Sequence, residues 1–203
     1  MAAVTPADVR VYLPELTGTA RDSVLDVLIA RAEDRLAREC GVYDPANPDA
    51  DLGFEDQAVT LYLDGSGTRM LRLPYGPIQS IASIYDDPER EYNADDLVDA
   101  ADYEIHHDHG PEVWLVDDSV HGAWYTGTRN IKITATLGYA TIPSGIKAAV
   151  AMLAAHYYRL ATPRAGASNM SATGQTVAFR DEAIPEAVWQ ALARHRRYDS
   201  GWG

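Results

Sequence analysis

The chain is poor in cysteine, in basic residues and in long apolar runs. One cysteine, Cys40, stands among 203 residues. An internal disulfide and any cysteine-rich zinc module are therefore excluded, and the single thiol suits a reducing cytoplasm. The longest apolar stretch, around Ile146 to Ala155, is broken by Lys147 and ends at His156. It falls far short of the roughly 20 residues a bilayer span requires, so no membrane partner is expected. The opening MAAVTPADVR has neither a basic nor an apolar signal region, and no secretory leader is expected. The G-x-S-x-G nucleophile elbow is missing too. The lone Cys40 closes an amphipathic segment, where a buried structural thiol is the default.

Bases are scarce and unevenly placed. Lys and Arg number 17 against 30 Asp and Glu, a formal charge of −13. Residues 1–41 carry −2, residues 42–128 carry −16 and residues 129–203 carry +5. So acidic a middle segment repels nucleic acid and anionic membrane, because phosphate binding needs basic contacts that release counterions. Such a face either keeps the protein soluble or works by binding cations, meeting a basic partner or repelling DNA. The remaining composition, 46% hydrophobic and 23% charged, is that of an ordinary globular chain.

What is present reads as helix, sheet, helix. Thr5-Pro6-Ala7-Asp8 is a helix start, with a Thr cap, Pro in the first position and an acid in the first turn; that helix ends near Leu13-Pro14. A second helix is expected from about Thr19 to Cys40, with Gly41 as its stop. Leu25, Leu28, Ile29, Ala32 and Leu36 form its apolar stripe. Residues 43–54 are rich in Pro, Asp and Gly and read as a loop. Val59, Leu61 and Leu63 then alternate as a strand, and Asp64-Gly65-Ser66-Gly67 predicts a hairpin into Thr68–Leu73. Ile78–Tyr85, Tyr103–His106, Glu112–Val116 and Asn130–Leu137 complete about six strands around an acidic loop at 86–102. Ile142-Pro143-Ser144 opens a third helix with Ile146, Ala149, Val150, Leu153, Tyr157 and Leu160 on its apolar face, closed by Pro163. A last helix starts near Ile184-Pro185-Glu186 and presents Val188, Leu192 and Trp189.

The apolar period thus passes from about 3.6 to 2 and back, which predicts an α+β fold. Residues 1–41 and 142–198 form a helical bundle, with an inserted antiparallel, acidic β lobe at 55–140. A mobile loop is expected at 163–183, where the composition is small and polar, and a frayed tail at 199–203.

Three clusters invite a chemical reading. His106, His107, Asp108 and His109, with His121 nearby, could ligate zinc. Adjacent strand residues point to opposite faces, however, and Gly110-Pro111 follows, so a solvated loop is expected and no metal or cofactor. Gly65-Ser66-Gly67 joins two strands and carries no lysine, which makes it a turn and not a phosphate cradle. Paired acids are too abundant for any pair to signal acid–base work. The third cluster is C-terminal: Arg194, Arg196 and Arg197 beside Trp189, Tyr198 and Trp202. Cations complement a helix C-terminus, but Trp, Tyr and Arg also dominate binding hot spots.

The segments TPADVRVYL, DSVLDVLIARAEDRLARECG, VTLYLDGSGTRMLRLPYGPIQSIASIY, NIKITATLGYATIPSGIKAAVAMLAAHYYRL and IPEAVWQALARHRRY resemble, in this order, the head–tail connector (adaptor, head-completion) proteins of long-tailed bacteriophages, prophages and gene-transfer particles. The similarity runs from about residue 4 to residue 198. The resemblance implies a helical bundle bearing a β-rich lobe and a non-enzymatic virion protein of the neck, made in the host cytoplasm. It implies a ring of about twelve copies docked under the portal protein, joined below to a stopper or tail-completion protein, with DNA passing through without sequence-specific binding. The ending with Trp189, Arg194, Arg196, Arg197 and Tyr198 becomes the expected portal contact. The segment 86–128 is longer and more acidic than the resemblance implies. Two rival classes remain at this point: a small acidic metal-binding protein or enzyme using the His106–His109 loop, told apart by bound metal, and an acidic DNA mimic, told apart by capture of a DNA-binding protein.

Overall fold

A computed structural model describes residues 4–42, 53–107, 110–161, 183–193 and 195. Of the expected loop at 163–183 all but residue 183 lies outside them, as does the tail at 199–203. Described residues up to Leu36 and from Ile142 onward form one compact unit, and Ala37–Thr141 form the other.

In the first unit, α1 (Pro6–Arg10) begins as its sequence dictates. The Asp8 amide donates to the Thr5 side chain, and the Asp8 carboxylate accepts from the Thr5 amide at 2.8 Å, a reciprocal capping box. Those Thr5 groups hold the Asp8 carboxyl below the usual carboxylate range. α2 (Asp22–Glu39) starts three residues later than the expected Thr19. Arg10 pairs with Asp22 there, tying α1 to the first turn of α2. Leu25, Ile29, Ala32 and Leu36 are buried, and Gly41 ends the helix at φ +74°. α3 (Ser144–Ala161) buries Ile146, Ala149, Val150, Leu153 and Tyr157. Arg31 of α2 lies 5.0 Å from the Tyr157 ring, and Arg159 of α3 donates to the Tyr12 carbonyl at 2.6 Å. Leu160, expected on the buried face, is 49% exposed: it is the second-last residue of α3, where the helix runs out of the packed unit among the described residues.

The described residues of the second unit hold six antiparallel strands in two sheets. The first has the order β1 (Gln57–Gly65), β6 (Gly127–Leu137), β3 (Ile78–Asp86), and the second β2 (Met70–Arg72), β5 (Glu112–Leu115), β4 (Tyr103–His106). Central strand β6 buries Ile131, Ile133, Ala135 and Leu137 on one face, while Lys132, Thr134 and Thr136 of the other are half-buried. Both sheets feed one core, with Leu61, Leu71, Ile84, Val113, Leu115 and Trp124 joining the β6 residues.

The hairpin expected at Asp64–Gly67 does not form. β1 spends its ladder on β6, from Gln57↔Leu137 to Leu63↔Ile131, while β2 pairs with β5 in the other sheet. Gly65-Ser66-Gly67 is still a turn, with Gly67 at φ +70°, but it carries the chain between sheets. A hairpin turn and an inter-sheet turn make the same demands on Gly. The choice was made by β6, whose four apolar residues offer β1 a longer buried face than the three residues of β2.

Candidate interaction sites

The inter-sheet turn is held by a buried polar hub. Asn130, 1% exposed, accepts from the Gly65 amide at 2.9 Å and donates to the Tyr125 carbonyl at 2.8 Å and toward Asp86 at 3.4 Å. Asp86, also buried, accepts from the Tyr125 amide at 3.0 Å. Burial pushes the Asp86 carboxyl up; the Tyr125 amide and the nearby His121 oppose that, while the charges of Asp87 and Asp96 add to it. Its neighbour Asp87 goes the other way. Burial raises it as well, but the amides of Tyr92, Glu89, Glu91 and Arg90 outweigh that and hold it below the usual range. Asp87 thus ties down the acidic loop after β3, where Arg90 and Tyr92 take φ of 65° and 54°.

Opposite pH dependences follow. Asp86 binds its proton more tightly folded than unfolded, so its contribution falls as pH rises above its unfolded value of 3.8. Asp87 stabilises the fold above 3.8 and loses that contribution as pH drops through its lower folded value. Asp87→Asn is expected to be less stable than the parent at pH 7, with the difference shrinking in acid. Urea midpoints at pH 7 and pH 3 check this; a difference that grows in acid would refute the assignment.

The histidine segment, expected as a solvated loop without metal, is described only in part. His106 ends β4, its ring 6.1 Å from Trp114 and its Nε2 3.4 Å from Glu104. His107 is exposed, Asp108 and His109 lie outside the described residues, and His121 lies beside Asp86, its amide donating to Ser119. Among the described residues no three His, Cys, Asp or Glu are placed to share a metal ion. Cys40 is buried.

Of the C-terminal candidates, Trp189 is half-buried on α4 (Glu186–Leu192), while Arg194, Arg196, Arg197 and Tyr198 lie outside the described residues. Val188 and Leu192 are fully buried, and α4 packs on the start of α3, where a Cβ at Gly145 would stand 3.2 Å from the Ala191 carbonyl. The close approach uses Gly145 as a seat. The Asn130 hub escaped sequence reasoning altogether, because its partners at 65 and 86 are distant in the chain and Asn has no periodic signature.

Helices from both chain ends and two small sheets sharing a core set the frame in which the chain is compared with known proteins, and the comparison gives a structural component of virions. A family model described as head completion protein matches residues 3–198, and the chain belongs to the head completion protein family, structural components of virions and not enzymes. The expected family is the one found, and with it the enzyme alternative falls. A chain of the solved structure described as the virion of a native gene transfer agent particle has the same fold: 18% identity, a TM-score of 0.57, and coverage of 92% of this chain and 83% of that one. No curated protein matches the chain.

Proposed function

We propose that this head completion protein is an adaptor: copies of it form a ring, of about twelve, that docks under the portal, extends the DNA channel and joins head to tail at the virion neck. Family membership across residues 3–198 carries the reading. The charge distribution supports it, since a lobe with −16 over residues 42–128 lets DNA slide where a basic lining would hold it. The portal contact is made by Trp189, Arg194, Arg196, Arg197 and Tyr198, and the opposite end of the ring receives the next connector or stopper protein. Assembly takes place in the host cytoplasm.

Each copy at −13 repels its neighbours, and the portal supplies both the template and the rotation that closes a head-to-tail contact. Free protein is therefore expected to sediment as a monomer or weak oligomer at low salt, and to form closed rings once portal is added. Sedimentation with and without portal, at low and high salt, checks this. Rings that form equally well at both salt levels without portal would overturn the electrostatic account.

A further inference from the structure

The outer face of the second sheet is a grid whose order is fixed by register. Met70, Trp114 and Glu104 stand opposite one another in one row, and Arg72, Glu112 and His106 in the next. The opposite face, with Leu71, Val113 and Leu115, is spent on the core. Trp114 sits on the central strand and is nevertheless 39% exposed. Its ring is fixed from two sides: the indole N–H donates to Glu112 at 3.1 Å, and His106 packs against it. Glu112 is 3% exposed and also accepts from Arg72 at 2.6 Å, so a buried carboxylate holds the Trp and the Arg in place. A rigid aromatic anchor with Met and Arg beside it and a polar margin is the composition of an interface centre.

The surroundings select the occupant. The row of Trp114 and Glu104 adjoins the end of the sheet where Asp102 precedes β4 and Asp117 and Asp118 follow β5. Arg69 and Arg72, two of the three bases in residues 42–128, are already paired with Asp117 and Glu112. This face therefore fits a cationic surface, and the chain carries its own net positive charge in residues 129–203. A two-fold contact would set the acidic end against itself, whereas a head-to-tail contact sets it against the basic part of the next copy.

We propose that the Trp114 face of the second sheet is the docking surface for a neighbouring copy of this chain, received through cation-bearing residues of its 129–193 segment, which carries +3 without the arginines assigned to the portal. The proposal rests on the ring reading and names the contact that closes it.

The test replaces Trp114 with photo-reactive p-benzoylphenylalanine and irradiates full-length protein assembled on portal-bearing heads. The expected product is a ladder of multiples of the 22.2 kDa chain, with adducts mapping to residues 129–193. Met70 replaced in the same way serves if the first variant is not incorporated, and the reagent at the 88% exposed Val120 gives the background. Adducts to the portal or to another virion protein, or a yield no higher than from Val120, would overturn the proposal. Trp114→Ala is expected to cut the fraction of heads carrying a closed ring by about tenfold or more, the scale of an interface anchor. A ring that closes normally with Trp114→Ala, and with no ladder, sinks this contact and leaves the ring intact. Wild-type heads that carry isolated copies would sink the ring itself, and this contact with it.

Discussion

Asn130→Ala is expected to lower the unfolding free energy by about 2–5 kcal/mol, although it removes only three non-hydrogen atoms from the side chain. The side chain is 1% exposed and serves the Gly65 amide, the Tyr125 carbonyl and Asp86 together. Cutting it to a methyl leaves a donor and an acceptor without their partner, and each buried group so stranded costs about 1–3 kcal/mol. It also leaves Asp86, already pushed toward its neutral form by burial, with one fewer donor. Gly65→Ala attacks the same hub from the other side, since its Cβ would fall 1.7 Å from the Tyr125 carbonyl oxygen, and backbone must move. Because both changes break one unit, the double variant should lose clearly less than the sum of the two single losses. Urea unfolding followed by circular dichroism measures all three. A loss below about 1 kcal/mol for Asn130→Ala, or strict additivity, would mean that water takes over the side chain's contacts.

The helices were legible because their signals are local. Thr5, Pro6 and Asp8 sit within one turn of each other and act there, and the Leu25–Leu36 stripe needs only a period of 3.6. Strand existence was legible for the same reason. Strand partnership was not: Thr60 meets Thr134 across 74 residues, and nothing in Asp64-Gly65-Ser66-Gly67 states which strand the next segment will join. Sites built from such partnerships were hidden as well. Glu112-Val113-Trp114-Leu115 reads as an alternating strand, yet the exposure of Trp114 depends on which residues of β2 and β4 flank it. His106 invited comparison with a metal ligand through its neighbours in sequence, a reading already set aside there for a solvated loop, and its neighbours in space are Trp114 and Glu104. Family was legible across nearly the whole chain, because it rests on the order of local segments and not on their long-range pairing.

The portal contact is best tested beyond the buried part of α4. Removing residues 186–203 would take away Val188 and Leu192, both fully buried, and confound docking with folding, since each large apolar residue lost from a core costs roughly 2–5 kcal/mol. A truncation after Ala193 keeps those side chains and Trp189 while deleting Arg194, Arg196, Arg197 and Tyr198. Under the adaptor proposal this variant folds with an unchanged thermal midpoint and loses attachment to packaged heads by about 100-fold or more, as expected when several Arg and aromatic contacts go together. Arg194→Ala, Arg196→Ala and Arg197→Ala combined should weaken attachment less, by roughly 10-fold to 100-fold, and should flatten its dependence on salt, because the screened part of the attraction has been removed. Salt separates this from a role in the helix alone. Cations that merely complement the end of α4 contribute at most about 1 kcal/mol to folding, and their loss would move the thermal midpoint and leave attachment as it was. A truncated chain that folds and still binds heads with parental affinity places the portal contact elsewhere on the molecule, and attachment that strengthens on losing the three arginines means that they oppose docking.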